Sequence, residues 1–170
     1  FWASVGPHVP HAAYCAAKFA VKGFTEALIT DLRINAPNVS CSVVMPGHIG
    51  TSIVENSRKL VRENNAEDPT DSEVERAREL YLRAGLPLDN VPDEHIKQVM
   101  QQESDDFRDK ALTSAEDAAS IILEGVKEKR WRILVGEDAE FLDQSVRADP
   151  ESAYELEFFE RRHSADGLYH

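Results

Sequence analysis

Residues 12–47 read AAYCAAKFAVKGFTEALITDLRINAPNVSCSVVMPG, and this stretch decides the fold class. From Ala12 to about Arg33 there is no proline and helix-forming residues dominate, which predicts a long helix. The short segment Val39–Met45 is rich in β-branched residues and ends at Pro46, which predicts a buried strand. A long helix that leads into a buried strand is typical of α/β proteins.

The apolar residues of this helix cover most of its circumference. They form two stripes: Ala13, Ala17, Ala20, Val21, Phe24, Leu28 and Leu32, and Ala12, Ala16, Phe19, Gly23 and Ala27. A helix that is apolar on nearly all sides is usually buried on nearly all sides. We therefore expect it to pack on its own sheet and on a second surface, such as that of a partner subunit.

The α/β pattern returns after residue 110. The sequence T-S-A-E, with Thr113 and Glu116 as its capping residues, is a capping box that predicts a helix over Ala115–Glu128. Its inward face would carry Ala118, Ala119, Ile122, Leu123 and Val126. The segment Trp131–Val135 predicts a second strand, and Glu137–Ala148 predicts a short helix. Trp131 and Phe141 are expected to pack on this last strand and helix.

The intervening residues are too many for an ordinary connection between elements of an α/β domain. Helices are predicted at Ile53–Arg62, Asp71–Arg83 and Asp93–Phe107. Because long excursions of this kind often carry function, we expect a helical lid at about 52–110.

The composition excludes several functional classes. The 170 residues include 19 basic and 31 acidic side chains and have a net charge of −12, which argues against nucleic-acid binding. No apolar run approaches the ~18 residues that a membrane span requires. The cysteines, Cys15 and Cys41, are too few for a disulfide framework, so we expect free thiols and a cytoplasmic protein. The chain shows no secretory signal before its first apolar residues, and we expect that the true N-terminus lies before Phe1.

Tyr14 and Lys18 are the side chains best placed for chemistry. Their spacing of four puts them on one face of the long helix. A free tyrosine has a pKa of ~10, but a neighbouring ammonium group favours the tyrosinate and so allows proton exchange at a lower pH. An arbitrary Y-x-x-x-K pair is nevertheless far more often a packing feature.

The surrounding residues resemble a known family. The helix sequence Tyr14-Cys-Ala-Ala-Lys18 and its continuation to Leu28, together with Met45-Pro-Gly-His-Ile-Gly-Thr51 after the next strand, resemble the short-chain dehydrogenase/reductases. The resemblance implies an α/β fold: the C-terminal part of a Rossmann-like, doubly wound parallel sheet with a helical lid insertion. It also implies an NAD- or NADP-dependent oxidoreductase that interconverts a secondary alcohol and a ketone.

The resemblance implies a role for each matching residue. Tyr14 would be the catalytic acid/base, and Lys18 would hydrogen-bond the nicotinamide ribose and lower the pKa of Tyr14. Pro46 and Gly47 would shape the turn beside the nicotinamide. The Ile49 backbone and the Thr51 hydroxyl would contact the carboxamide and nearby cofactor atoms.

Expected partners also follow from the resemblance. The substrate would be a small-molecule alcohol or ketone, and a homodimer or homotetramer would form through the long helix. Apolar lid residues hint at an apolar substrate but could equally be lid packing: Val54, Leu60, Tyr81, Leu82 and Leu86.

The sequence departs from the family pattern in three places. The phosphate-binding turn T-G-x-x-x-G-x-G and the N-A-G segment are absent, and the position of the catalytic serine falls on Phe1. Ser4 lies only ten residues before Tyr14 and matches that serine poorly. We therefore expect a C-terminal fragment that is inactive alone, with one partial domain over 1–148 and an acidic, frayed tail over 149–170.

Other candidate sites are weaker, and two other functions stay open. His8, His11 and His48 are expected to be exposed loop residues rather than metal ligands, because no carboxylate or thiol completes a site. Cys15 is expected to pack inertly and Cys41 to lie in the core, while the acidic stretch 137–160 is expected to be a solvated surface. The alternatives are a non-catalytic scaffold that uses the long helix for subunit contact and an isomerase or epimerase that reuses the Tyr–Lys pair.

Overall fold

A computed structural model describes residues 12–61, 68–83, 85–86, 90–155 and 157. These residues divide into a sheet unit, within Phe1–Ile49 and Leu112–His170, and a helical unit, within Gly50–Ala111. The elements in chain order are α1 (Ala12–Asn35), β1 (Val43–Pro46), β2 (Ile49–Gly50), α2 (Ile53–Val61), α3 (Asp71–Arg83), α4 (Asp93–Asp109), β3 (Thr113–Ser114), α5 (Ala115–Lys127), β4 (Arg132–Val135), α6 (Glu137–Ala148) and a 3-10 turn (Ser152–Tyr154).

Strands β1 and β4 form a parallel pair, as the α/β pattern predicts. The register runs from Val43 opposite Arg132 to Pro46 opposite Val135. Beyond the strand ends, the Gly47 N–H donates to the Val135 carbonyl at 2.9 Å. The carboxyl ends of both strands therefore lie side by side, at the edge where open parallel sheets bind their ligands.

Helix α5 covers one face of this pair. Ala118, Ile133 and Val135 form the buried cluster, with Ile121 and Ile122 packed against it. Gly125 allows the close approach, because a Cβ atom at that position would lie 2.6 Å from Cδ1 of Ile133. The Ile133 side chain thus packs directly against the α5 backbone at Gly125.

The predicted capping box is displaced by one residue. Ser114, not Thr113, is the N-cap of α5, and its hydroxyl accepts from the Asp117 N–H at 3.0 Å. Thr113 cannot cap the helix because it is buried in β3. The predicted start of the first strand was also wrong, since β1 begins at Val43 rather than at Val39.

Helix α1 is far more exposed than its apolar stripes predict. Cys15 is its one buried residue, as expected for inert packing, while Phe24 is 68% exposed. Cys41 is half-buried rather than in the core, with Sγ at 3.9 Å from the Thr25 carbonyl oxygen. Within the described residues α1 packs on β1 and leaves most of its apolar side chains exposed, so the predicted second covering surface stays a prediction.

Other predictions of burial were also wrong, because the described elements leave the side chains concerned uncovered. The large apolar side chains near the C-terminus that are exposed rather than packed are Leu123, Val126, Trp131 and Phe141. The described elements cover α5 on the face of Ala118 and Gly125 only. The acidic stretch also differs from a solvated surface at Asp143, which is buried and pairs with Arg132 and Arg147.

The helical unit has its own core between α3 and α4. Val74, Tyr81, Ile96 and Met100 form it. The Tyr81 hydroxyl donates to Glu103 Oε2 at 2.6 Å, and burial together with this bond raises the pKa of Tyr81 above its ordinary range. Tyr81 is therefore a packing residue of the helical unit. No helix in the described parts of the chain is long and apolar enough to cross a membrane.

Candidate active site

Helix α1 presents the Tyr–Lys pair on one face. The ammonium nitrogen of Lys18 lies 5.3 Å from the centroid of the Tyr14 ring, which is the geometry of a cation–π contact. The Tyr14 side chain is 55% exposed, and Lys18 is also exposed. The spacing of four in the sequence thus becomes a real contact between the aromatic ring and the ammonium group.

The turn after β1 forms a second group of candidate residues. Pro46 ends the strand, Gly47 bonds to β4, and Ile49 packs against the cluster of Ala118, Ile133 and Val135. The turn is therefore fixed at the carboxyl edge of the parallel pair, with Ile49 anchored in the core below it. Thr51 is half-buried and precedes α2 in the helical unit.

Asp138 contacts this turn, and the sequence analysis did not predict its role. Its Oδ2 accepts from the His48 backbone N–H at 2.6 Å, a short, charge-assisted hydrogen bond. A Cβ atom at Gly47 would overlap the Asp138 carboxylate. The available signal was a glycine directly after each strand, with an aspartate two residues beyond the second.

Metal ligation gains no support in the parts of the chain that the structure describes. There, no group of three or more His, Cys, Asp or Glu side chains is placed to hold a metal ion. His48 belongs to the turn after β1, and its backbone is held by Asp138. Ser4, His8 and His11, and the Phe1 position of the expected serine, lie outside the described residues.

The helical unit contains a cavity of about 360 Å³ between α2 and α4. Arg58 spans part of it and donates to the Met100 carbonyl at 3.0 Å and to Ser104 Oγ at 2.9 Å. The remaining lining is mostly polar and charged: Glu55, Asp68, Pro69, Glu94, Lys97, Gln98 and Gln101. Leu60 and Leu86, two of the apolar lid candidates, are exposed.

Comparison with known proteins supplies a family context. Residues 3–61 match the family model described as short chain dehydrogenase. Two curated sequences of Mycobacterium tuberculosis, from strains CDC 1551 / Oshkosh and ATCC 25618 / H37Rv, are 30% identical to the chain over 135 residues; both carry the name "Putative oxidoreductase SadH". The match covers 79% of this chain but 37% of each relative. No solved structure matches the chain at a significant level.

Proposed function

The chain belongs to the short-chain dehydrogenase family, and we propose that it contributes the catalytic helix and the nicotinamide-side turn of an oxidoreductase. The proposed reaction interconverts a secondary alcohol and a ketone with NAD or NADP. The observation that carries this proposal is the contact between Tyr14 and Lys18, with the ammonium nitrogen 5.3 Å from the ring centroid. The family match over residues 3–61 includes this pair and the turn after β1.

The chain's residues fit the nicotinamide half of such a cofactor. Gly47 and Ile49 lie in a turn at the carboxyl edge of a parallel strand pair, where dinucleotides bind in open sheets. The absence of a side chain at Gly47 lets the backbone approach a neighbour closely, as the contact with Asp138 illustrates. Lys18 provides an ammonium donor for a ribose hydroxyl, and Thr51 provides a further hydroxyl.

In the proposed mechanism, Tyr14 exchanges a proton with the substrate oxygen. The Tyr14 residue is 55% exposed in the described chain. The Lys18 ammonium nitrogen lies 5.3 Å from the centroid of the Tyr14 ring, so the two side chains can contact one ligand from the same face of α1. The nicotinamide, when bound, supplies or accepts the hydride.

We further propose that the helical unit acts as a lid and that the substrate is a small molecule. The unit has its own buried core, so it can behave as a structural element in its own right. The exposed Leu60 and Leu86 are available to an apolar part of a substrate. The free cysteines Cys15 and Cys41 support a reducing, cytoplasmic environment.

The exposed apolar side chains of α1 support a subunit contact. Phe19, Val21 and Phe24 are 40%, 61% and 68% exposed within this chain. Large exposed apolar groups of this kind mark interaction surfaces, so we propose a homodimer or homotetramer in which α1 is covered. Light scattering on the complete protein tests this proposal: a wild-type oligomer that Phe24→Ser converts to a monomer supports it, and a monomeric wild type contradicts it.

The proposed function is tested on the protein expressed from its complete coding sequence. Calorimetric titration with NAD and with NADP should show binding of one of them, and Lys18→Met should weaken that binding at least tenfold. Lys22→Met is the matched control, because Lys22 lies one turn further along α1 and pairs with Glu26 at 2.9 Å. Equal loss in both variants, or no dinucleotide binding by the wild type, would contradict the proposal.

A further inference from the structure

Asp138 joins the two turns that follow the parallel strands. The first turn contains Gly47 and His48, and the second contains Gly136. The Asp138 carboxylate bonds to the backbone N–H of His48 in the first turn. A Cβ atom at Gly136 in the second turn would lie only 2.6 Å from Oδ1 of the same carboxylate. The carboxylate therefore occupies the space that two glycines leave open at the carboxyl edge of the strand pair.

Neighbouring acids show that helix stabilisation does not explain this placement. Glu137, Asp138 and Glu140 all lie in the first turn of α6, where acidic side chains are favoured by the helix dipole. Glu137 and Glu140 are exposed, while Asp138 turns inward onto the His48 backbone. An acid that served only the helix could remain in water like the other two.

The burial of the Asp138 carboxylate supports the same conclusion. Its Oδ1 is buried and has no hydrogen-bond partner within the described chain. Leaving a buried carboxylate oxygen without a donor is unfavourable. The hydrogen bond that Oδ2 accepts must therefore offset this cost. Oδ2 accepts from the backbone N–H of His48, the residue directly before Ile49.

We propose that Asp138 is a positioning residue for the nicotinamide-binding turn. By accepting from the His48 N–H, it fixes the backbone between Gly47 and Ile49 in the conformation that binds the cofactor. This inference rests on the proposed function, because it assigns Asp138 a role at the same site. Asp138 acts through the turn and does not itself contact the reacting atoms.

The contact is tested first, without reference to activity. Hydrogen exchange of the His48 amide is measured in the wild type and in Asp138→Ala, Asp138→Asn and Glu140→Ala. We expect exchange to accelerate at least tenfold in Asp138→Ala, to change less than threefold in Asp138→Asn, which keeps an acceptor oxygen, and to be unchanged in Glu140→Ala. Equal exchange in Asp138→Ala and the wild type would overturn the inference.

The role of the contact is then tested on the same four proteins by steady-state kinetics. Asp138→Ala should raise the KM for the nicotinamide cofactor about tenfold, equivalent to ~1.4 kcal/mol, while the KM for the alcohol changes less than twofold. Asp138→Asn should largely restore the cofactor KM. A lower melting temperature with a wild-type cofactor KM would show a merely structural role and overturn the inference.

A double variant makes the geometric argument specific. Gly47→Ala alone should raise the cofactor KM, because its Cβ overlaps the Asp138 carboxylate. In the Asp138→Ala background that carboxylate is gone, so Gly47→Ala should add less than threefold. Fully multiplicative effects would overturn the inference. A wild type that binds neither dinucleotide would refute the proposed function and the positioning role together, whereas the His48 exchange would still decide whether the contact exists.

Discussion

The packing of α5 on β4 makes a quantitative prediction at Gly125. The Cβ atom of Gly125→Ala would lie 2.6, 2.7 and 3.1 Å from three side-chain carbons of Ile133. Ile133 is fully buried, so its side chain cannot move into solvent to make room. Overpacking of this kind costs about 1–3 kcal/mol, and three close contacts place the cost near ~3 kcal/mol.

An opposing effect comes from helix propensity. Alanine is favoured over glycine in a helix interior by about 1 kcal/mol, so the net destabilisation should be ~2 kcal/mol. For a domain of about 150–250 residues, that corresponds to a fall in melting temperature of roughly 4–8 °C. Ala119→Gly, at an exposed position of the same helix, is the control that measures the propensity difference alone.

The assay is thermal and urea unfolding of the complete protein in a double-mutant cycle. Ile133→Val removes the terminal methyl group and should cost about 0.5–1.5 kcal/mol alone. The double variant should be at least ~1 kcal/mol more stable than the sum of the single effects predicts, because the closest contact is gone. Additive effects, or a Gly125→Ala variant more stable than the wild type, would refute this account of the helix–strand contact.

Two further predictions concern local stability and pH. Ser114→Ala removes the cap on the Asp117 N–H and should lower the free energy of unfolding by ~1 kcal/mol in urea titrations; an equal loss in Ser120→Ala, at an exposed position of α5, would contradict the capping role. Because burial and the bond to Glu103 raise the pKa of Tyr81, the folded state holds this proton more tightly than the unfolded state, and the resulting stability is present below about pH 10 and lost as pH rises further. The stability advantage of the wild type over Tyr81→Phe should therefore be constant up to about pH 9 and shrink as the pH rises from about 10 to about 12 in urea unfolding; a difference that stays constant over that range would contradict it.

Local patterns predicted the elements well because their signals are local. Helix α3 over Asp71–Arg83 and helix α6 over Glu137–Ala148 have their predicted bounds, and α1 begins at Ala12 as predicted. The parallel pairing of β1 and β4 also follows the expected α/β pattern. Hydrophobic periodicity, proline and glycine positions suffice for such features.

Contacts between distant residues were harder to predict. The hydrogen bond from His48 to Asp138 spans 90 residues, and neither residue's local sequence indicates it. Likewise, Thr113 has a capping residue's chemistry, but its burial in β3 transfers the cap to Ser114. Helix α1 shows the converse: its composition predicts burial, which the described chain alone does not supply.

The candidate site was therefore partly accessible from the sequence. The spacing of Tyr14 and Lys18 correctly indicated a shared face, and the structure adds the 5.3 Å contact. The turn after β1 was located by its glycine and proline, but its support by Asp138 required three-dimensional information. Side chains that hold backbone from another element leave no periodic signature.

The measurement that tests the central proposal most directly is the turnover of Tyr14→Phe. The complete wild-type protein is assayed against a panel of secondary alcohols and ketones by following reduced nicotinamide, and the variant is assayed on any substrate found. Removal of a general acid/base should lower kcat by roughly 10²- to 10⁴-fold, with dinucleotide binding within about threefold of the wild type. A Tyr14→Phe variant with wild-type kcat would contradict the assignment of Tyr14 as the catalytic residue.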